Sequence, residues 1–527
     1  MTTSAVASVL AWAALVAGAR AQCVGPAKMG PPLPLLDRES GASLDIDGDV
    51  LVVGAPGSQL VDDLHDEGSA SVYRLVGGDW QFEIRLIASD PEDDDDFGRS
   101  VAVSGDTVLV GAPHKDNLGA ETGAAYTYRY VGGQWIFEQK LFVPDPTYWV
   151  QFGTRVALQG DLAVISAPGY QQGEVYVYKR QGGTWTEVQE FQWSGLQGDS
   201  AFGSSLDLQG DQLAVGAKYD GLAPIYAGHV LIYGWTGSAF QLSAVLLPAD
   251  IQAGDNFGSS IASSGDWLVV GASGRNIPGA EDSGTAYVYH RTEAGWVLDA
   301  TLDSGDPNVI GNFGDSAAFE GDVIALGEPR DRFDPDVMDS GAVWRFDHVG
   351  AAWVRQPKLV ELDVSELERF GTAVALRGDD VLAGAPFDGT PSLRPGAVFT
   401  FHGPPAWSSL GYALGGTLGL PKLSADVAQD AVTTVSLLLQ QGTPDASATL
   451  VLGLHDIDHP FKGGVLVPSP DVLVGGLVVG PDGTLCLQSM LVDGLPLGLP
   501  LYVQVWMVDA LGAKGFAASN AIRLAAP

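Results

Sequence analysis

Phe97-Gly98-Arg99-Ser100-Val101-Ala102-Val103-Ser104-Gly105-Asp106-Thr107-Val108-Leu109-Val110-Gly111-Ala112-Pro113 is the stretch whose reading decides the architecture. Two apolar runs meet at Gly105-Asp106, and a two-residue, Gly-first connection between such runs suits a type II′ hairpin. The pattern recurs down the chain. Phe-Gly stands at Phe97, Phe152, Phe202, Phe257, Phe313 and Phe370, with a degenerate copy at Ser40-Gly41. Seven residues after each of these glycines comes Gly-Asp, from Gly48-Asp49 to Gly378-Asp379. Thirteen residues after each comes a Gly-Ala-Pro-like triplet, from Gly54-Ala55-Pro56 to Gly384-Ala385-Pro386, with Ser166-Ala167-Pro168 as a variant.

A third apolar run opens at Gly68, Gly123, Gly173, Gly228, Gly284, Gly341 and Gly396, each with an aromatic residue five positions on. A fourth is led by Trp80, Trp135, Trp185, Phe240, Trp296 and Trp353. Four short strands in each of seven units predict an all-β fold, a seven-bladed β-propeller over residues 22–403. The last unit lacks its fourth strand, because Pro404-Pro405 follows Phe401. Lys28-Met29 lies at the same offset before Gly41 as Lys140-Leu141 before Gly153, so the segment Cys23 to Met29 is expected to supply that strand and close the ring.

Composition agrees. Of 527 residues 69 are Gly and 31 Pro, 46% are hydrophobic and 17% charged, which fits many short strands and tight turns. The formal charge of −37 argues against nucleic acid and anionic membranes as partners. Residues Val6 to Val16 form an apolar run followed by Ala19-Arg20-Ala21, so 1–21 reads as a signal peptide and the protein as secreted or displayed at the cell surface. Two cysteines exclude a disulfide-rich scaffold. Cys23 and Cys486 form either one disulfide or two separate thiols.

In the last part, 404–527, apolar runs at 433–439, 449–454, 473–479 and 501–508 are separated by Gly, Pro and Asp, and predict a small C-terminal β-sandwich.

The Phe-Gly and Gly-Ala-Pro registers resemble the FG-GAP repeats of the integrin α-subunit head propeller, and more closely those of bacterial secreted proteins. The resemblance covers about residues 27–403 and implies extracellular recognition or adhesion. It does not carry over the family's Asp-x-Asp-x-Asp-Gly calcium loop, because the two-residue Gly-Asp turn leaves no room for it. Asp45 and Asp47 read as strand positions. The ending 516–520 is similar to a C-terminal module of secreted bacterial repeat proteins, which implies surface attachment or sorting.

The loops after Gly-Ala-Pro and those entering Phe-Gly carry most of the negative charge, densest at 90–96 (DPEDDDD). Asp62, Asp63, Asp94, Asp116, Asp331 and Asp334 are the acidic candidates for a cationic partner, or for weak calcium binding on these loops, since converging carboxylates make an oxygen-rich surface. Acidic loops equally serve solubility. Trp149 and Trp193 are the candidates for stacking on a sugar or anchoring a protein; the other reading packs them between blades. No catalytic residue or resident cofactor is expected, and the reading is a non-enzymatic binder of a protein or glycan. Alternatives are a glycoside hydrolase or lyase using carboxylates in the central funnel, or a structural surface-layer component. His455-Asp456-Ile457-Asp458-His459 resembles a metal cluster, but Pro460 predicts a loop there, which does not put the two histidines on one helical face.

Overall fold

The computed structural model describes residues 27–32, 38–59, 65–117, 119–144, 149–169, 172–193, 195, 200–220, 227–277, 280–305, 310–331, 339–356, 358–360, 367–389, 394–401, 407–411, 422–429, 433–440, 443, 446–453, 456–461, 464–468, 472–479, 485–490, 500–509, 516–519 and 521–525. The chain divides into two compact units, Lys28–Thr400 and Phe401–Pro527 together with Met1–Ala27.

The first unit consists of four-stranded antiparallel sheets, seven among the described residues. Sheet 1 is built in chain order from Ser43–Asp47, Val50–Ala55, Ser69–Val76 and Asp79–Leu86. Sheets 2 to 6 repeat this order over 100–141, 156–191, 202–246, 257–302 and 316–355. Sheet 7 takes its first three strands from 373–401 and its fourth from Ala27–Met29. The N-terminal segment thus completes the last sheet as its offset predicted; Cys23 lies outside the described residues. Each first strand packs against the first strand of the next sheet, and the last of them, Ala373–Arg377, returns to Ser43–Asp47.

The turn chemistry explains the hairpins. All seven turn glycines have left-handed φ, from 57° to 62°, while none of the aspartates after them does. That combination is a type II′ turn, and glycine enters it without the Cβ penalty. The aspartates act as turn formers and more. The Asp49 carbonyl accepts the Leu75 N–H at 2.9 Å, and its carboxylate meets Arg74 at 3.2 Å; Asp106 does the same with Tyr130 and Arg129.

The six Phe-Gly phenylalanines are fully buried. Each wedges edge-on against rings of its own sheet, as Phe97 does with Tyr126 and Tyr128, and Phe257 with Tyr287 and Tyr289. Five sheets carry a β-bulge between third and fourth strands at the third-strand aromatic, such as Val72/Tyr73, which adds twist to the outer edge. Of the residues leading the fourth strands, Trp135, Trp185 and Phe240 are buried, whereas Trp80, Trp296 and Trp353 are half-buried.

Close approach fixes the first residue of the Gly-Ala-Pro triplet. A Cβ on Gly54, Gly111, Gly271 or Gly327 would come within about 2 Å of the Phe-Gly glycine carbonyl of the next sheet. That carbonyl also accepts a hydrogen bond from a serine: Ser43 to Gly98 at 2.8 Å, Ser100 to Gly153 at 2.8 Å, Ser205 to Gly258 at 2.8 Å, Ser260 to Gly314 at 2.7 Å, Ser316 to Gly371 at 2.7 Å.

In the second unit the runs expected as strands are Thr433–Gln440, Ser447–Gly453, Val472–Val478 and Pro500–Val508. One sheet runs in the order 407–411, 521–525, 500–508, 447–453, 472–478, with 516–518 added against 500–508; a second joins 422–429, 433–440 and 485–490. Cys486 sits opposite Leu438 in that second sheet. The segment Asp456–Phe461 is a strand paired with Gly464–Pro468, not the loop expected for the His455–His459 stretch. Its ladder runs through Pro460, whose partner is Val465. His455 lies outside the described residues, as do the apolar run at 6–16 and Ala19–Ala21.

Candidate functional site

The strand order brings the loops after Gly-Ala-Pro and the loops entering Phe-Gly to the same end of the sheets, where backbone hydrogen bonds weld them. The loop entering each Phe-Gly donates to the loop that precedes the third strand of the sheet before it. Trp149, Gln151 and Phe152 donate to Ala120, Glu121 and Thr122; Ile310, Asn312 and Phe313 donate to Glu281, Asp282 and Ser283. To turn alternate N–H groups toward the neighbour, the backbone goes left-handed one and three residues before the phenylalanine. The inner set includes Asp96, Gln151, Asn256 and Asn312; the outer set is Asp94, Trp149, Gly254, Ile310 and Leu367. A bulky or β-branched residue at φ above +60° is a true outlier. Trp149 at 68° and Ile310 at 66° are both that, and both are exposed, by 52% and 40%.

The predicted residues separate. Trp149 stands out from the loop face. Trp193 is half-buried against the His229 ring, 5.9 Å between centroids, and packs on the core of sheet 4, so it is not an exposed anchor. Asp94 is exposed, and Asp116 is exposed with its carboxylate accepting the Glu121 N–H at 2.7 Å. Asp331 is buried and paired with Lys358 at 2.7 Å, which removes it from the open face. Asp62, Asp63 and Asp334 lie outside the described residues. Among the described residues no group of three or more His, Cys, Asp or Glu is arranged to hold a metal.

Asp331 belongs to a position the pattern hid. Among the described residues the third residue after the middle of a triplet donates its N–H back to that middle residue, as Ser58, Lys115, Asp220, Arg275, Asp331 and Asp388 do. Where it is charged, the charge is answered. Lys115 meets Glu92 and Asp95; Arg275 meets Asp250; Asp220 meets His229 at 2.9 Å; Asp388 meets Lys28 of the ring-closing strand at 2.8 Å. Buried charges of this kind are tolerated because they are paired.

The second feature is axial. A cavity of about 820 Å³ is lined by the first strands of all seven sheets and reaches the Gly-Asp turns at Gly48 and Gly378. Side chains two, four and six residues after the Phe-Gly glycine lean toward the next sheet. At the mouth, the six-position residues make a complete circle of links. Asp47 accepts from Gly105, Ser104 from Gly160, Gln159 from Gly210 and Glu320 from Gly378; Gln209 donates to Ser263, Ser264 to Gly321 and Arg377 to Gly48. At the four-position, five sheets have alanine (Ala102, Ala157, Ala262, Ala318, Ala375), and sheets 1 and 4 have Asp45 and Asp207.

Asp45 accepts from Val103 N–H at 2.7 Å and from Ile46 N–H at 2.9 Å; Asp207 accepts from the Ser263 hydroxyl. Burial pushes the Asp45 carboxyl up to about 7, with Asp47 and Asp207 adding repulsion, against the two backbone N–H groups. Burial also raises Asp207, to about 6. Both carboxyls are thus raised from the ordinary carboxylate range.

A group whose folded pKa is raised stabilises the fold below its unfolded pKa, and that contribution is lost as pH rises through the folded value. Asp45, Asp207 and Asp95, which burial lifts to about 6, all act in this sense. The melting temperature is therefore expected to fall as pH rises from about 5 to about 8, and to fall less in Asp45→Asn. Melts across that range check it; a flat profile in the wild type contradicts it.

FG-GAP repeat models match residues 80–128, 135–178, 240–289 and 353–401, each running from a fourth strand into the third strand of the next sheet. No curated protein matches the chain. Among solved structures, it is similar to a putative 6-phosphogluconolactonase from Bacteroides uniformis, at 13% identity over 64% of this chain and 89% of that one, TM-score 0.43. It is also similar to the periplasmic gluconolactonase of Pseudomonas aeruginosa (13% identity, 62% and 87% covered, TM-score 0.40). A third likeness is to the β-propeller domain of the Trilobed protease from Pyrococcus furiosus (9% identity, 69% and 93% covered, TM-score 0.42). In these four stretches the chain carries FG-GAP repeats, set in an array of four-stranded antiparallel sheets.

Proposed function

We propose that the seven sheets are the blades of a closed propeller, that the second unit is a sandwich serving attachment or sorting, and that the whole is a secreted or surface-exposed, non-enzymatic binder. Recognition of a protein or glycan takes place on the loop face. The observation that carries this is the exposed Trp149, held at a strained backbone angle by loops hydrogen-bonded to their neighbours. A rigid, pre-positioned aromatic ring loses little entropy on binding and is a typical anchor. The carboxylates exposed on loops at the same end of the sheets, Asp94 and Asp116 among them, favour a partner surface with positive charge. No helix among the described residues is long and apolar enough to cross a membrane.

Trp149→Ala is expected to abolish capture of the partner in glycan-array and cell-binding screens, with about a tenfold or greater loss of affinity, and to leave the melting temperature unchanged. Undiminished capture by the variant moves recognition off this face.

A further inference from the structure

The axial cavity is a separate place from the loop face and uses none of its residues. Its wall is set by strand geometry. In an antiparallel pair, residues alternate between those bonded to the partner strand and those whose N–H and C=O point away. Val103 donates to Asp45 of the sheet before it, and the Ser263 carbonyl accepts from Gln209 of the sheet before it. That position, five residues after the Phe-Gly glycine, therefore directs its peptide groups at the axis. Repeated round the ring, the wall offers carbonyl oxygens at one level, and at that same level Asp45 and Asp207 add carboxylates.

The alanines elsewhere on this level leave the space open. The cavity volume of about 820 Å³ is within the range of small-ligand sites. Among the charged lining groups acceptors outnumber donors, four carboxylates to one guanidinium. The wall has one aromatic residue, Phe319, whose ring packs edge-on against Trp353, so a sugar finds no stacking platform. The charged groups on the lining are Asp45, Asp47, Asp207, Glu320 and Arg377, a net negative set. At the loop end Arg155 replaces the serine of other sheets; burial and Arg99 lower its pKa while Asp315, from sheet 6, supports its charge.

We propose that this cavity binds a linear organic polycation, a polyamine-class molecule whose ammonium groups pair with Asp45 and Asp207 and hydrogen-bond to the axial carbonyls. Two separated carboxylates on sheets 1 and 4 select a ligand with charges at two points over a single compact ion. Binding weakens toward acid, as Asp45 and Asp207 take up protons.

The test is calorimetric titration of the full chain with spermidine at low ionic strength, at about pH 8 and about pH 5. Saturable binding is expected at the higher pH, weaker by about tenfold or more at the lower one and in Asp207→Asn. Ala318→Lys, which tethers an ammonium in the cavity, is expected to abolish it, and Trp149→Ala to leave it unchanged. Melts of each variant establish folding, and Ala157→Glu, adding a carboxylate at the same level, is expected to tighten binding. The proposal is overturned if spermidine does not bind, if Asp207→Asn and Ala318→Lys bind it as the wild type does, or if calcium displaces it at equal concentration.

Discussion

Phe257→Ala is expected to cost about 3–5 kcal/mol of propeller stability, the range for removing a fully buried phenylalanine. The ring is 0% exposed and lies edge-on to Tyr287 at 5.5 Å and Tyr289 at 6.4 Å. Around it the backbone cannot close up, because the Phe257 N–H is already bonded to Ala227 at 2.8 Å and the Gly228 backbone is pressed against it. The cavity therefore persists instead of collapsing, which puts the cost at the upper end. Urea unfolding followed by tryptophan fluorescence reads the effect. A midpoint unchanged from wild type would mean that the sheet 4–sheet 5 junction does not depend on this ring.

Gly271→Ala should be nearly as damaging, at about 3 kcal/mol, for a different reason. The φ of Gly271 is not in the left-handed region, so the backbone itself would accept alanine. The obstacle is the neighbouring sheet: the added Cβ would lie 1.9 Å from the Gly314 carbonyl and 2.5 Å from Ser260 Oγ. Relief requires sheets 5 and 6 to separate. Sheet 3 shows how a side chain is accommodated. There Ser166 takes the glycine's place, and the crowding serine is replaced by Arg155, whose N–H donates to Ser166 Oγ at 3.0 Å. Ser166→Gly is accordingly expected to stay within about 1 kcal/mol of wild type. The same unfolding assay applied to both variants tests the contrast, and equal losses would refute it.

Much of this fold was legible because each repeat carries its own punctuation. Gly-Asp announces a turn, Phe-Gly a wedge, and the triplet a close approach, so strand order and even the borrowed fourth strand follow from offsets alone. The candidate site was legible only in part, because the signals there are not periodic in residue type. Asp331 looks like one more loop acid; only its register with Lys115, Arg275 and Asp388 marks it as the buried, paired position. Trp193 and Trp149 are indistinguishable by composition, and backbone angle and burial separate them. Asp207 is one acid among 64 until it is placed at the same level as Asp45, among alanines. Side chains that act by pointing round a ring leave a signal only when the repeats are stacked and read down the column.

The strand Ala27–Met29 has a consequence in time. Its partner strand is Ala397–Phe401, and the ion pair that holds it joins residues 360 apart in the chain. Each of the other sheets completes itself within one repeat, soon after it is made. At ordinary synthesis rates, residues near the N-terminus wait on the order of tens of seconds for their partner to appear. Assembly is therefore a row of sheets that grows in one direction and is fastened by a single late event. Until then the third strand of sheet 7, Ala397–Phe401, keeps a raw edge, open to pairing with another chain, and whatever shields it governs the yield of folded protein.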